Sequence, residues 1–230
     1  STVLSLDKRP NIYYEQLLQR ISKEDIHRIT GLEPLPHYSI FKWIWISNNR
    51  PDIYSRSWKL LCYGELIAVR FGLEPLIDYS MAARTLALDR ESMNWSPQIL
   101  KAAEIDIEKL PEVVAPGTCA GRIADGISGD LGLARNSTFI VGGLDQACAA
   151  VGAGLEIDGK SLLSLGTTGV LAEVVPRGRE YAGVIPVIPH LMDSTSIGVA
   201  GTPAGGALLR WFRDTCVPTS NSESNSGNHL

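Results

Sequence analysis

The sequence predicts an α/β fold, and three observations carry that expectation. Short apolar runs closed by glycine, such as Thr138-Phe139-Ile140-Val141 before Gly142-Gly143, have the length and character of β-strands. Segments with apolar residues at helical spacing are interleaved with those runs rather than grouped apart from them. The chain has 230 residues, 44% of them hydrophobic, which is enough to bury a core as one large domain or two small ones.

Taken in order, Thr2 to Asp7 reads as a short strand, followed by a helix from Tyr13 to Ile26 in which Leu17, Leu18, Ile21 and Ile26 recur near helical spacing. A loop at Pro34-Leu35-Pro36 leads into the aromatic run Phe41-Lys42-Trp43-Ile44-Trp45-Ile46. Trp58 to Phe71 fits strand, helix or both, and ends at Gly72. Ser96 is placed to cap a helix that has Pro97 at its first turn and Ile99, Leu100 and Ala103 along one face. Beyond Arg135 the pattern is a strand at Thr138–Val141 and a small-residue helix from Ala147 to Gly154. A hairpin pairs Ser161–Leu165 with Val170–Val175, and a strand at Ser196–Ala200 and a helix from Ala204 to Arg213 follow. Thr219 to Leu230 is Ser- and Asn-rich with almost nothing to bury, so a disordered tail is expected from 217 to 230.

Composition excludes several classes. With 21 Lys and Arg against 25 Asp and Glu, the net charge is −4 and no basic block stands out, so no nucleic-acid partner is expected. No apolar run approaches the ~20 residues that span a bilayer, and no membrane association or secretion signal is expected. Cys62, Cys119, Cys148 and Cys216 lie far apart without metal-ligand spacing, as expected of buried free thiols in a reducing, cytoplasmic setting. The sequon at Asn136-Ser137-Thr138 would matter only in a secreted protein.

Three segments carry candidate chemistry. In Gly142-Gly143-Leu144-Asp145-Gln146, a strand ending in two glycines delivers a carboxylate where another molecule can approach the backbone. That carboxylate reads either as a general base or as a cap on the following helix. Gly166-Thr167-Thr168-Gly169 reads either as a phosphate cradle, with amides and hydroxyls as donors, or as an ordinary hairpin turn. Lys42, set between aromatics, reads either as support for a sugar face or as a snorkelling lysine over core aromatics. The four histidines are isolated in sequence, and neither a Gly-x-Ser-x-Gly elbow, a Walker loop nor a Rossmann fingerprint occurs.

The ordered set of segments resembles the FGGY carbohydrate kinase family. Ser39 to Asn49 is similar to its first signature, although His37 stands where Gly, Ser or an aromatic is usual. Leu6-Asp7-Lys8-Arg9 resembles the aromatic-x-Asp-x-Arg segment with Ser5 in place of the aromatic, and Ile29-Thr30-Gly31 matches the Thr-Gly before the signature. Asp78 to Ala83 resembles the Asp-x-Ser-x-Ala-Ser segment, and Leu88-Asp89, Trp95, Leu110-Pro111 and Gly121 follow in order. Gly142 to Gln146 looks like the catalytic-aspartate segment, Ser164 to Val170 like the ATP-phosphate segment, and Gly205 to Arg213 like the helix that follows it.

The resemblance implies an actin-like, RNase H-like fold truncated at both ends, in which two α/β domains close over a cleft. Residues 1–150 would be the later part of the sugar-binding domain, and 151–216 the beginning of the ATP-binding domain. An N-terminal Asp-x-Gly-Thr strand and the later adenosine-binding portion would lie outside the chain. The resemblance implies Asp145 as catalytic base, Gln146 as a sugar contact, and Gly166, Thr167, Thr168 and Gly169 as holders of ATP phosphates. Mg²⁺ would bridge those phosphates without an assigned protein ligand. The implied partners are a small sugar and ATP, with a homodimer as a candidate assembly. Asp145-Gln146 resembles the glycerol and polyol branch, while the Asp78 and Gly166 segments are more similar to xylulose or gluconate kinases. The reading leans to a ketopentose such as xylulose; the alternatives are a gluconate or glycerol/polyol kinase, a truncated non-catalytic module of the same fold, and an actin-like ATPase that hydrolyses without sugar.

Overall fold

The structure, a computed structural model, describes residues 3, 7–155, 157, 159–179, 185–202 and 204–216. The expected N-terminal strand and the C-terminal tail lie outside these residues, apart from Val3 and Asp7.

Local capping decides where the first helices begin. The apolar stripe expected as one helix is divided into α1 (Ile12–Leu18) and α2 (Lys23–Thr30). The break arises because Ser22 takes an extended conformation and its hydroxyl accepts the Asp25 amide at 3.0 Å, starting a new helix. The aromatic run forms α3 (Ser39–Asn49), with Ile40, Phe41, Trp43 and Ile44 buried. After α4 (Pro51–Arg56), which opens on proline, the ambiguous stretch resolves as an irregular segment followed by α5 (Tyr63–Arg70).

A parallel pair then organises the centre. Strand β1 (Leu76–Asp78) runs directly into α6 (Tyr79–Ala83) and pairs with the later β4 (Glu112–Val114) in register Ile77 to Val113. Between them lie the short ribbon β2 (Leu88–Asp89) with β3 (Asn94–Trp95), and α7 (Pro97–Ala103), capped as expected by Ser96. Next, β5 (Cys119–Arg122) pairs across α8 (Asp125–Asp130) with β6 (Thr138–Ile140), and β6 leads to α9 (Asp145–Gly152).

The remaining strands form a four-stranded antiparallel sheet. They are β7 (Ser161–Leu165), β8 (Gly169–Pro176), β9 (Val187–Pro189) and β10 (Thr195–Thr202), in the order β7-β8-β10-β9, and α10 (Gly206–Cys216) follows. One apolar cluster joins this sheet to the helical part: Leu17, Ile26, Ile40, Phe41, Ile77 and Ile99 connect through Ala147 and Ala150 to Ala172, Val174, Ile188 and Ile197. Small residues along α9 allow that close approach, since alanines at Ala147 and Ala150 are fully buried. By contrast Leu163 and Leu165 of β7, and Leu209, Trp211 and Phe212 of α10, are exposed. Among the described residues no helix is long and apolar enough to cross a membrane.

Trp95 ties α3 to the parallel pair. Its ring meets Trp43 edge-on with centroids 6.2 Å apart, and its indole N–H donates to the Pro111 carbonyl at 2.8 Å. Trp95→Ala is therefore expected to lower unfolding free energy by about 3–5 kcal/mol in equilibrium urea denaturation. A loss below about 1 kcal/mol would show that the site collapses around the smaller side chain.

Candidate active site

The site begins at the carboxyl end of β1, the end at which α/β sheets commonly present polar groups. Asp78, 2% exposed, caps α6 by accepting the Ser80 amide at 2.7 Å and the Met81 amide at 3.2 Å. Burial pushes its carboxyl above the usual range, opposed by the Ser80 hydroxyl, which also donates to it, and by those two amides. The Ser80 oxygen in turn accepts the Leu144 amide at 2.9 Å, from a residue 64 positions later.

That bond fixes the link between β6 and α9. A Cβ on Gly143 would lie 2.9 Å from Ser80 Oγ, 3.1 Å from Asp78 Oδ2 and 2.3 Å from Leu191 Cδ2, so only glycine lets the backbone pass this close. Leu144 is the N-cap of α9 and Asp145 its first residue. The Asp145 side chain is exposed and accepts the Gln146 amide at 2.8 Å. It is thus not the N-cap; its carboxylate stands in the first turn, where the helix dipole favours negative charge.

Asp145 and Gln146 face a cavity of about 470 Å³. Its polar wall includes His37, Tyr38 and Arg84, and Leu35, Leu144, Val170, Ile188 and Val199 supply apolar surface. Among the described residues the Gln146 Oε1 atom is buried without a hydrogen-bond partner, an unusual condition for an amide oxygen and one that a hydroxyl donor in the cavity would relieve. Arg84 lays its guanidinium over the Tyr38 ring, 5.1 Å from the centroid. Burial, then the charges of Arg84 and Lys42, hold His37 below the usual imidazole value. Lys42 does not line the cavity. It is 9% exposed and donates to the His37 carbonyl, which favours the core reading of this lysine and makes it a support for the cavity wall.

The Gly166–Gly169 segment forms the expected hairpin turn, joining β7 to β8. Its carbonyls are engaged by the start of α10: Gly206 N–H donates to Gly166 at 2.7 Å, and Gly205 and Ala207 N–H to Thr167 at 3.2 and 3.3 Å. Gly205 has to be glycine, because a Cβ there would lie 2.5 Å from the Thr168 carbonyl carbon. Gly166 donates its amide to the Thr168 carbonyl at 2.9 Å. The exposed Thr167 and Thr168 keep amide and hydroxyl donors without partners among the described residues. The turn is not itself in the cavity wall. It lies one residue beyond Val170, which pairs with Gly201, another lining residue, while Gly169 pairs with Thr202.

Sequence reading named Asp145, Gln146 and the turn, but not His37, Tyr38 or Arg84 as cavity residues, nor Ser80 as the partner of Leu144. The available signal was the Asp78-x-Ser80 spacing, a helix-start pattern whose long-range use of the hydroxyl has no sequence signature.

Residues 1–152 match the FGGY family of carbohydrate kinases, N-terminal domain. The chain belongs to that family. It is 28% identical to the xylulose kinase of Lactococcus lactis over 213 residues, which is 93% of this chain and 42% of that protein. It is 29% identical to the xylulose kinase of Bacillus subtilis over 198 residues, 85% of this chain and 39% of the other. Among solved structures, the gluconate kinase of Lactobacillus acidophilus superposes with a TM-score of 0.85 at 22% identity, covering 95% of this chain and 44% of that one. The FGGY chain described here thus has the actin-like α/β fold of these kinases, and spans less than half the length of these relatives.

A second buried carboxyl, within electrostatic reach of Asp78, has a measurable signature. Glu65, 3% exposed, accepts the Cys62 amide at 2.7 Å at the start of α5. Burial raises its carboxyl to about 7; the Cys62 amide opposes this and the Asp78 charge adds to it. The same burial, with Glu65 adjacent, pushes the half-buried Cys62 thiol up to about 12. Because the folded value of Glu65 lies above its ordinary 4.5, its contribution to stability is full below pH 4.5 and is lost as pH rises through 7. Glu65→Gln, which keeps an acceptor for Cys62, should flatten the fall in urea-unfolding free energy across that window by roughly 3 kcal/mol. Parallel profiles for the two proteins would show that Glu65 titrates normally.

Proposed function

We propose that this chain supplies the sugar site and part of the ATP-phosphate site of a kinase that transfers the γ-phosphoryl group of ATP to a hydroxyl of a small sugar, a ketopentose such as xylulose. The observation that carries this is the convergence of the Asp145 carboxylate and the unpartnered Gln146 amide oxygen on one cavity, whose wall at Val170 adjoins the Gly166–Gly169 turn.

In this reading a sugar hydroxyl donates to Gln146 Oε1 and another presents its proton to Asp145. As the hydroxyl oxygen bonds to the γ-phosphorus and the bond to the leaving ADP oxygen breaks, the proton passes to the carboxylate. The free amides and hydroxyls of Thr167 and Thr168 are suited to phosphate oxygens, and Gly166 and Gly169 shape the turn that presents them. Mg²⁺, entering with the nucleotide, would neutralise charge on the phosphates. The family match ends at residue 152, which supports a division between sugar and nucleotide sides near residue 150. Four free cysteines fit a cytoplasmic protein.

The two xylulose kinase relatives support the ketopentose. A sugar acid such as gluconate is the second reading, because Arg84 in the cavity wall could pair with its carboxylate. Sugar-dependent ADP release by the full-length protein against ketoses, polyols and sugar acids tests both, with xylulose expected to give the highest kcat/KM. No sugar-dependent ADP with any of them would indicate a non-catalytic module. Asp145→Asn should lower kcat about 100- to 10,000-fold while ATP affinity, read by calorimetry, changes little. Near-normal turnover would remove Asp145 from the mechanism.

A further inference from the structure

The N-cap amide of a helix is commonly satisfied by a Glu or Gln side chain three residues on, closing a capping box. In α9 that position is Ala147, which has no acceptor. The Leu144 amide is satisfied instead by Ser80, in the first turn of α6 and 64 positions earlier, at 2.9 Å. Ser80 is 0% exposed, so neither water nor rotation into solvent offers its hydroxyl another arrangement. A hydroxyl has one proton, and here Asp78 accepts it. Its oxygen lone pairs remain for the Leu144 N–H, which can only donate, and Asp78 fixes the direction in which the hydroxyl and those lone pairs point. Asp78 is fixed in turn by the Ser80 and Met81 amides at the end of β1. Gly143 completes the arrangement, since any side chain there would drive the linkage off Ser80.

We propose that Asp78 and Ser80 are positioning residues for phosphoryl transfer: the Ser80 hydroxyl, oriented by Asp78, grips the Leu144 amide and so sets where the next residue, Asp145, holds its carboxylate in the cavity. This rests on Asp145 being the proton acceptor. Neither Asp78 nor Ser80 lines the cavity, so they act through Leu144 and not on the sugar. A displacement of the carboxylate by about 1 Å is enough to cost on the order of 100-fold in rate.

The test compares Ser80→Ala with Ser128→Ala, which removes an equally buried serine hydroxyl from α8, away from the cavity. In the full-length protein, Ser80→Ala should lower kcat about 10- to 100-fold with sugar KM within about threefold, whereas Ser128→Ala should leave kcat near wild type. Hydrogen exchange at the Leu144 amide should accelerate at least about tenfold in Ser80→Ala and not in Ser128→Ala. Asp78→Asn keeps the volume and weakens the acceptor, and should show the same pattern at about 3- to 10-fold in kcat; it stands in if Ser80→Ala does not fold. Wild-type kcat in the folded variants, faster Leu144 exchange without a fall in kcat, or an equal fall in Ser128→Ala would each overturn the proposal. Asp145→Asn separates the two levels of the argument. If it abolishes turnover while Ser80→Ala does not lower it, positioning fails and the base survives. If it turns over normally, the base reading has failed first.

Discussion

A single buried hydroxyl joins the two halves of the sequence at the candidate site. Leu144 reaches it only because Gly143 lacks a side chain, and the hydroxyl is held in one orientation because Asp78 takes its proton. These are three chemically different requirements: a missing Cβ, an acceptor, and a donor with nowhere else to go. They meet at the junction of β1 and α6 with the start of α9. Behind this junction, Ala147 and Ala150 carry the core into the antiparallel sheet, so α9 is positioned at its N-cap and along its buried face by contacts it cannot exchange with solvent.

The second constraint is the seating of α10 on the Gly166–Gly169 turn. A helix normally leaves its first amides to caps, water or ligands. Here backbone carbonyls of the turn occupy three amides at or next to the helix start, at a separation only glycine at Gly205 permits. Among the described residues, Thr167 and Thr168 keep open donors. The helix thus braces the turn from behind, and the anion-binding capacity lies in the two threonines.

Much of this architecture was legible in the sequence where local chemistry decides it. The hairpin of β7 with β8, the strand β6, the small-residue helix α9 and the Ser96-Pro97 start of α7 all follow from runs whose periodicity and terminators agree. The single helix expected at the N-terminal end became two because one hydroxyl at Ser22 outweighed a continuous apolar stripe. Pairing of β1 with β4 was not legible, since both strands have three residues and their partners are set by long-range packing. Asp145 and Gln146 could be named from their glycine-rich approach, but their common cavity could not. Its other wall comes from His37, Tyr38 and Arg84, residues whose spacing in the chain carries no periodic signal.

The cap at the start of α5 divides the four thiols into two populations. Cys62, next to Glu65 and held at about 12, has almost no thiolate near neutral pH, while Cys119, Cys148 and Cys216 are open to water rather than buried as expected from the sequence. An alkylating reagent applied briefly to native protein would mark the latter three first. A fourth adduct would then record the opening of that helix start, so this chain carries an internal clock for its own local unfolding, readable as a mass increment without any added label.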